Sequence, residues 1–380
     1  MKQIYLDNAA TTPLAPEVAE AMIPVLTDVY GNPSSSHATG RKAKALIETS
    51  RRDIARKLGC EPKSIIFTSG GTEADNLALR TAVKDLGCAR IITSPAEHSA
   101  VIASAEKMST LFGVELVHVK HLEDASVDLA HLEDLLSKGP KTLVSLMHAN
   151  NEIGVIQPLD NLSALCIKYD AVFHSDTVQT MGHYPFSLDS LEIDYLTCSA
   201  HKFHGPKGTG FLYTHPKNKI RSQIVGGGQE RGLRSGTENL HGIVGLAAAI
   251  NLAYDNIDAH ETHVRSIKKR MADGLRERIP GVSFNANSDC VSRLYTVLNV
   301  KFPPHPNSGM ALFLLDIQGV ACSGGSACSS GATKGSHVLN SLGYHDPDKA
   351  SLRFSFSHYT TEEEIDFALE AISKVFAPVD

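Results

Sequence analysis

The sequence lacks any long apolar run. No segment approaches the roughly 18 consecutive apolar residues that a membrane-spanning helix needs. The N-terminal stretch MKQIYLDNAATT also lacks the apolar core of a secretory signal. We therefore expect neither a membrane segment nor export, and we expect the protein in the cytoplasm.

The sequence also lacks an excess of positive charge. Its 36 Lys and Arg residues stand against 42 Asp and Glu residues, a formal net charge of −6. Proteins that bind nucleic acid usually have a basic surface that neutralises phosphates. We therefore expect no direct binding of nucleic acid, and small molecules or proteins as partners.

The cysteines lack the spacing of a metal site or of a disulfide framework. There are seven, an odd number, scattered along 380 residues, and none forms a Cys-x-x-Cys pair. A chain of this length with 42% hydrophobic residues can bury its own cores without disulfide bonds. We expect reduced thiols and predict no metal site.

The first two thirds of the sequence have the rhythm of an α/β domain, in which short apolar runs alternate with polar loops and helix-period segments. We predict strands over residues 65–68, 143–147 and 210–213, a strand ending near Ser175, and a helix from about Glu73. A polar loop follows the end of most of these strands. Open α/β sheets place their ligands at such carboxyl ends.

The last third predicts a smaller domain. The segments IVGLAAAINLAYDNI and HVRSIKKRMADGLRERI predict two helices, and the second leads into this domain. In TTEEEIDFALEAISKVF, Thr361 and Glu364 fit a capping box. An apolar stripe at helical spacing follows, formed by Ile365, Ala368, Leu369, Ile372 and Phe376. We assign this last helix to packing alone.

Three loops at strand ends carry candidate chemistry. In SAHKFHGPKG, Lys202 could be a nucleophile toward a carbonyl group, provided that its ammonium form is destabilised. In TSGGTEADN, backbone N–H groups and the Thr72 hydroxyl at a helix N-terminus could bind a phosphate. In HSDTVQT, Asp176 could hold a heterocyclic nitrogen protonated. Each motif alone is also compatible with a surface lysine, a plain turn or a packed carboxylate, but together they predict a pyridoxal 5′-phosphate site.

The order of these motifs along the chain resembles a known family. The sequence is similar to the cysteine desulfurases of the NifS/IscS-like group, within the class V aminotransferase family of fold type I. The matching segments span nearly the whole chain and are YLDNAATTPL, YGNPSSSH, FTSGGTEADN, AEHSAV, MHANNEIGVIQP, HSDTVQT, SAHKFHGPKG, GGGQERGLRSGT, GSACSSG and LRFSFSHYTTEEEID.

The resemblance implies a fold and a division into domains. It implies a large α/β domain with a mixed, mostly parallel sheet, and a smaller α+β domain. We predict that residues 1–15 form a segment packing with the small domain, that residues 16–261 form the large cofactor-binding domain, and that residues 262–380 form the small domain with the catalytic cysteine loop.

The resemblance also implies roles for individual residues. Lys202 would bind the cofactor covalently, Asp176 would pair with its pyridine nitrogen, and His98 would stack on its ring. Arg353 would bind the substrate carboxylate. The other implied contacts to cofactor or substrate come from Gly71, Thr72, Asn151, Gln179, Ser199, His201 and, across a homodimer interface, Thr237. Without the resemblance, the residues themselves favour a core histidine at position 98 and a surface ion pair at Arg353.

The segment GVACSGGSACSSG contains two cysteines, Cys322 and Cys328, among small residues. The resemblance implies that Cys328 takes sulfur from L-cysteine as a persulfide, leaving L-alanine. The sulfur would pass to an acceptor protein, such as an iron–sulfur scaffold or a tRNA-thiolation protein. Family members usually have an apolar or small residue at position 322, so a role for that thiol stays open.

Other interpretations of the function remain open. A selenocysteine lyase or an aminotransferase of the same fold would share the cofactor residues, although a transaminase has no use for the GSACSSG thiol. A non-catalytic scaffold with this fold is a third reading, but it would be expected to have lost Lys202 or Asp176, and both are present.

Overall fold

The structure is a computed structural model, and it describes residues 3–218, 220–324 and 335–377. The strands in this part of the chain are β1 (Ile4–Tyr5), β2 (Ile65–Thr68), β3 (Arg90–Thr93), β4 (Glu115–His118), β5 (Thr142–Ser145), β6 (Val172–Asp176), β7 (Tyr195–Ser199), β8 (Gly210–Thr214), β9 (Ser283–Phe284), β10 (Val297–Lys301), β11 (Val320–Ala321) and β12 (Ser351–Ser355). The helices are α1 (Pro16–Asp28), α2 (Ala38–Leu58), α3 (Gly71–Lys84), α4 (Ser99–Phe112), α5 (Leu129–Ser137), α6 (Leu159–Lys168), α7 (Leu240–Asp255), α8 (Ile257–Arg278), α9 (Ala311–Ile317), α10 (His337–Ser341) and α11 (Glu362–Val375).

A seven-stranded sheet forms the centre of the molecule, with the strand order β2-β8-β7-β6-β5-β3-β4. Strands β3 to β7 run parallel to their neighbours within that group, whereas β8 is antiparallel to both β2 and β7. The predicted α/β fold with a mixed, mostly parallel sheet is therefore confirmed. Because parallel strands end at the same edge, the loops after β5, β6 and β7 meet there.

Several predicted boundaries differ from those observed: β5 begins at Thr142 and β8 ends at Thr214, and two larger differences have an identifiable cause. Helix α3 begins at Gly71 and not at about Glu73, because Gly70 serves as N-cap with a φ of 147°, a backbone conformation that favours glycine. Strand β5 ends at Ser145 and not at residue 147, because the Met147 N–H donates to the buried Glu97 carboxylate at 2.8 Å and leaves the strand ladder.

A second hydrophobic core lies outside the large sheet. It combines Ile4 and Leu6 of the N-terminal segment with apolar residues of α8, α11, β10 and β12. Two small sheets support it, the parallel pair β1-β11 and the antiparallel sheet β12-β10-β9. The predicted capping box at the start of α11 is confirmed, and all five residues of its predicted apolar stripe are buried.

The predicted division at positions 15/16 and 261/262 stays a proposal. Helix α8 passes through the second position without interruption. Among the helices described, none is both long enough and apolar enough to cross a membrane.

A cluster of four histidines lies between the two cores. His183 and His204 come from loops of the large sheet, His260 from α8, and His358 from the chain after β12. The rings of His260 and His358 stack with centroids 3.9 Å apart, and His204 meets His358 edge-on at 4.6 Å. Burial lowers the pKa of His183 and of His204 to about 4, and burial with the neighbouring histidines lowers the pKa of His358 to about 3. The cluster is therefore neutral at pH 7.

This cluster predicts that acid weakens the fold. Histidines of the unfolded chain titrate near pH 6.5, so on unfolding these groups take up protons. Their contribution to stability is complete above about pH 6.5 and is lost as the pH falls towards 4. We expect the His358→Gln variant to lose less thermal stability than the wild type between pH 7.5 and pH 5, as measured by calorimetry. The same substitution at the exposed His118 is the control, and equal losses in all three proteins would contradict the prediction.

Candidate active site

A cavity of about 360 Å³ opens at the carboxyl edge of the large sheet. The strand-end loops after β5, β6 and β7, the start of α3 and the N-terminal segment meet around it. The sequence-predicted site residues that line this cavity are Gly71, Thr72, His98, Asn151, Asp176, Gln179, Ser199, His201, Lys202 and Arg353.

Lys202 lies in a single turn of 3-10 helix, Ala200–Lys202, that follows β7 directly. Its Nζ donates hydrogen bonds to the carbonyl oxygens of Ala9 and Ala10, both at 2.7 Å. The Gln179 side chain donates to the same Ala9 carbonyl at 3.1 Å. Backbone acceptors from the N-terminal segment therefore hold the ammonium group at the cavity wall.

Asp176 ends β6 and is buried beside a second carboxylate, Asp75 of α3. Burial and, to a smaller extent, the neighbouring Asp75 raise the pKa of Asp176 to about 6. Burial also raises the pKa of Asp75 to about 7. Oδ1 of Asp75 lies 3.5 Å from the imidazole Nε2 of His174, which already binds the Thr197 hydroxyl at 3.1 Å, so Oδ1 has no hydrogen-bond partner among the described residues. Two acidic side chains therefore line this end of the cavity.

The N-terminus of α3, in contrast, is suited to bind an anion. The first N–H groups of a helix have no acceptor within it, and here they belong to Gly71 and the residues after it. A Cβ atom at Gly71 would lie 2.9 Å from the Val178 side chain, so glycine lets the helix start approach the β6 loop closely. Ser199 and His201 complete the wall on this side.

These features fit a cofactor with a protonatable aromatic ring and a phosphate. The buried Asp176 carboxylate would gain a counter-ion from a protonated ring nitrogen, and the N-terminus of α3 would bind the phosphate dianion. The cavity volume also suits a small aromatic ligand. The potential metal-ligand atoms of Asp75, His98 and Asp176 lie within 4.8 Å of one another. All three residues line the cavity in which the cofactor would bind.

Arg353 is buried in β12, with 1% of its side chain exposed, so it is not the surface residue that the sequence alone favoured. It donates to the Asn151 carbonyl oxygen at 2.9 Å and forms an ion pair with Asp7 at 2.7 Å. Arg353 also lines the cavity. A buried planar cation at a cavity wall is suited to bind a carboxylate.

His98 caps α4, and its Nδ1 accepts the Ala100 N–H at 3.2 Å. Burial lowers the pKa of His98; Asp176 opposes this lowering, whereas Lys202 and His337 contribute to it. His337 lines the same cavity, with its Nε2 2.9 Å from the Glu97 carbonyl oxygen.

Sequence reasoning missed four residues near the cavity, namely Asp7, Asp75, Glu152 and His337. Asp7, Asp75 and Glu152 do stand inside matched motifs, YLDNAATTPL, FTSGGTEADN and MHANNEIGVIQP. That position was the one signal that could have identified them. His337 belongs to none of the motifs.

Thr237 is exposed and lies outside the cavity. Its loop is anchored through Glu230, whose carboxylate forms a bidentate buried ion pair with Arg51 and accepts the Phe67 N–H at 2.9 Å. The loop is therefore fixed against the sheet edge at β2 while Thr237 faces outward.

Cys328 lies outside the described residues. Cys322 is among the described residues and is half-buried; burial, with a smaller contribution from Asp7, raises the pKa of its thiol to about 12. A thiol with a raised pKa is a poor nucleophile at neutral pH.

Comparisons with known proteins agree with this geometry. The family model "Aminotransferase class-V" matches residues 4–367. "Cysteine desulfurase IscS" of Dictyoglomus turgidum is 40% identical over 377 residues, which is 98% of this chain and 94% of that protein. A solved "NIFS-LIKE PROTEIN" superposes with a TM-score of 0.90 at 37% identity, covering 98% of this chain and 99% of that one. "SspA in complex with cysteine" superposes with a TM-score of 0.81 at 30% identity, covering 94% and 100%.

Proposed function

This chain belongs to the aminotransferase class-V family, and we propose that it is a cysteine desulfurase that uses pyridoxal 5′-phosphate to convert L-cysteine into L-alanine. The observation that carries the proposal is the meeting of Lys202, Asp176 and Arg353 in one cavity at the strand ends. The full-length similarity to proteins named cysteine desulfurase supports it. The test is the formation of equal amounts of alanine and sulfide from L-cysteine in the presence of a reducing thiol, with L-selenocysteine as the comparison.

Different cavity residues would contact different parts of the cofactor. Asp176 would pair with the ring nitrogen, Gln179 and Asn151 would contact the ring substituents, and Lys202 would bind the carbonyl carbon. The phosphate would be held by Gly71, Thr72, Ser199 and His201. When bound, pyridoxal 5′-phosphate supplies an electron sink that stabilises negative charge at the substrate Cα.

Three side chains act on the substrate itself. Arg353 binds the carboxylate and fixes the orientation of the Cα–H bond. Lys202 takes the Cα proton, and the hydrogen bonds of its Nζ to the N-terminal segment keep the amine at the wall of the substrate cavity. His98, neutral because burial lowers its pKa, would stack on the cofactor ring and could exchange a proton with the substrate at its second nitrogen.

The sulfur step is assigned to Cys328, at the position of the family's persulfide cysteine in GSACSSG. Its thiolate attacks the substrate sulfur, so that an S–S bond forms while the C–S bond breaks. The electron pair of the broken bond stays with the carbon fragment, which gains a proton at Cβ and leaves as L-alanine. No external oxidant is needed, because the carbon fragment takes up the electron pair while the sulfur is oxidised to the outer atom of the Cys328 persulfide.

The persulfide would then pass its sulfur to an acceptor protein of iron–sulfur assembly or tRNA thiolation. We further infer that the enzyme works as a homodimer in the cytoplasm. The cytosol keeps thiols reduced, and the free cysteines in the described part of the chain are Cys60, Cys88, Cys166, Cys198, Cys290 and Cys322.

Replacement of Lys202 tests the lysine assignment. We expect Lys202→Ala to lose at least about 10³-fold in alanine formation, because no other described cavity residue is an amine that could move the Cα proton. Its cofactor should also dissociate on dialysis, as followed by absorbance. The exposed Lys63, changed to alanine, is the control, and normal alanine production by Lys202→Ala would refute the assignment.

The two loop cysteines make a matched pair of variants. Cys328→Ser should still bind L-cysteine, seen as a change in the cofactor spectrum, but should release almost no sulfide. Cys322→Ser should keep most of the activity, because burial keeps its thiol protonated. Mass spectrometry after one turnover should find the added sulfur on Cys328, whereas sulfur on Cys322 with an active Cys328→Ser variant would reverse the assignment.

Thr237 tests the proposed dimer. If its hydroxyl completes the phosphate site of the other subunit, Thr237→Val should lose about tenfold in cofactor affinity, the usual effect of removing a hydrogen bond to a charged group. Equilibrium dialysis measures this loss, and sedimentation shows whether the variant remains a dimer. A dilute wild-type monomer that keeps its cofactor and full activity would contradict the prediction.

A further inference from the structure

Asp7 is fixed beside the candidate substrate-binding arginine. Its Oδ1 accepts hydrogen bonds from the Arg353 guanidinium at 2.7 Å and from the Ser323 hydroxyl at 2.8 Å. The backbone on both sides is also held, because Leu6 N–H donates to Ala321 O and Asn8 N–H donates to Ser355 O. Asp7 therefore cannot move away from Arg353 without breaking the contacts between β1, β11 and β12.

The geometry leaves part of the guanidinium available for a ligand. Of its five N–H groups, one on each terminal nitrogen is used, by Asp7 and by the Asn151 carbonyl. The buried Nε has no hydrogen-bond partner in the described part of the chain. Arg353 lines the cavity, whereas Asp7 does not. Asp7 and the Asn151 carbonyl thus fix the plane of the guanidinium, and each terminal nitrogen keeps one N–H group that neither of them uses.

The charge of Asp7 has a second effect. Arg353 is almost completely buried, and Asp7 is the carboxylate paired with it. A substrate carboxylate would be a second anion on the same cation, and two carboxylates that share one guanidinium repel each other. L-cysteine and L-alanine carry the same carboxylate, so this repulsion weakens substrate and product binding equally and does not change the chemical step.

We propose that Asp7 is a positioning residue that aligns Arg353 and also weakens its hold on amino-acid carboxylates, so that the product is released readily. The inference rests on the proposed function, because it takes Arg353 to be the carboxylate site. It assigns to Asp7 two separable contributions, one of geometry and one of charge.

The variant Asp7→Asn separates them. An amide oxygen can accept the same two hydrogen bonds at the same place, but the residue carries no charge. We expect the KM for L-cysteine and the dissociation constant for L-alanine to fall by the same factor, about three- to tenfold, as for loss of one partly screened charge interaction. The kcat should not rise. Steady-state kinetics gives the first value, and calorimetric titration of the holoenzyme with L-alanine gives the second without turnover.

The variant Asp7→Ala removes both contributions. We expect its kcat/KM to fall about 10-fold or more, because a misaligned clamp misplaces the reacting carbon. Asp160→Asn, an exposed residue at the start of α6, is the matched control and should resemble the wild type. Thermal unfolding of each variant shows whether it is folded, and Asp7→Asn keeps the test open if Asp7→Ala is not.

Two results would overturn the inference. If Asp7→Asn leaves both constants unchanged, the charge of Asp7 does not act on the carboxylate site. If Asp7→Asn weakens the binding of L-cysteine and L-alanine, as expected of Asp7→Ala, the charge of Asp7 does not weaken the binding of carboxylates to Arg353. Failure of the proposed function is a different result, because it would appear in the wild type as no alanine from L-cysteine.

Discussion

The hydrogen bonds of the N-terminal segment, residues 7–12, are the constraint on which the cavity depends. The carbonyl groups of this segment accept hydrogen bonds from the Lys202 ammonium and the Gln179 amide. The Asp7 side chain forms an ion pair with Arg353, and the Thr12 N–H donates to the His201 carbonyl oxygen. The segment has no regular partner strand on the large sheet, so side chains satisfy its polar groups. Both candidate cations of the site are thereby attached to one short stretch of backbone.

Burial decides the electrostatics of this site. Two carboxylates, Asp75 and Asp176, have raised pKa values because they are removed from water beside each other. The Arg353 guanidinium is equally buried but has its own counter-ion in Asp7. The cavity is therefore negative beside β6 and positive near β12, and a ligand with a protonated ring, a phosphate and a carboxylate complements both ends. The histidine cluster lies on the other side of the Lys202 loop, where a ring nitrogen of His183 is 3.2 Å from the Lys202 carbonyl oxygen. It stays neutral because burial lowers the pKa of its members.

Local patterns were sufficient for the elements that carry the cofactor residues. Strand β2, the capping box of α11 and the strand ends before Asp176 and Lys202 follow from apolar runs and turn residues within a few positions of one another. The boundaries of α3 and β5 were missed because they depend on a glycine conformation and on the distant Glu97 carboxylate. The fold type and the residue roles came from the order of whole motifs, and single motifs did not supply them.

The amino-acid sequence by itself determined the α/β class, the loops that carry Lys202, Asp176 and Thr72, and the family to which these loops belong. The tertiary structure decided that Arg353 is buried and that Asp7, which precedes it by 346 residues, is its partner. It also brought together the histidines of the cluster and placed His337 in the cavity. Such contacts join residues far apart in the chain, and their energies depend on burial and on opposing charge, which periodicity and spacing along a sequence do not encode.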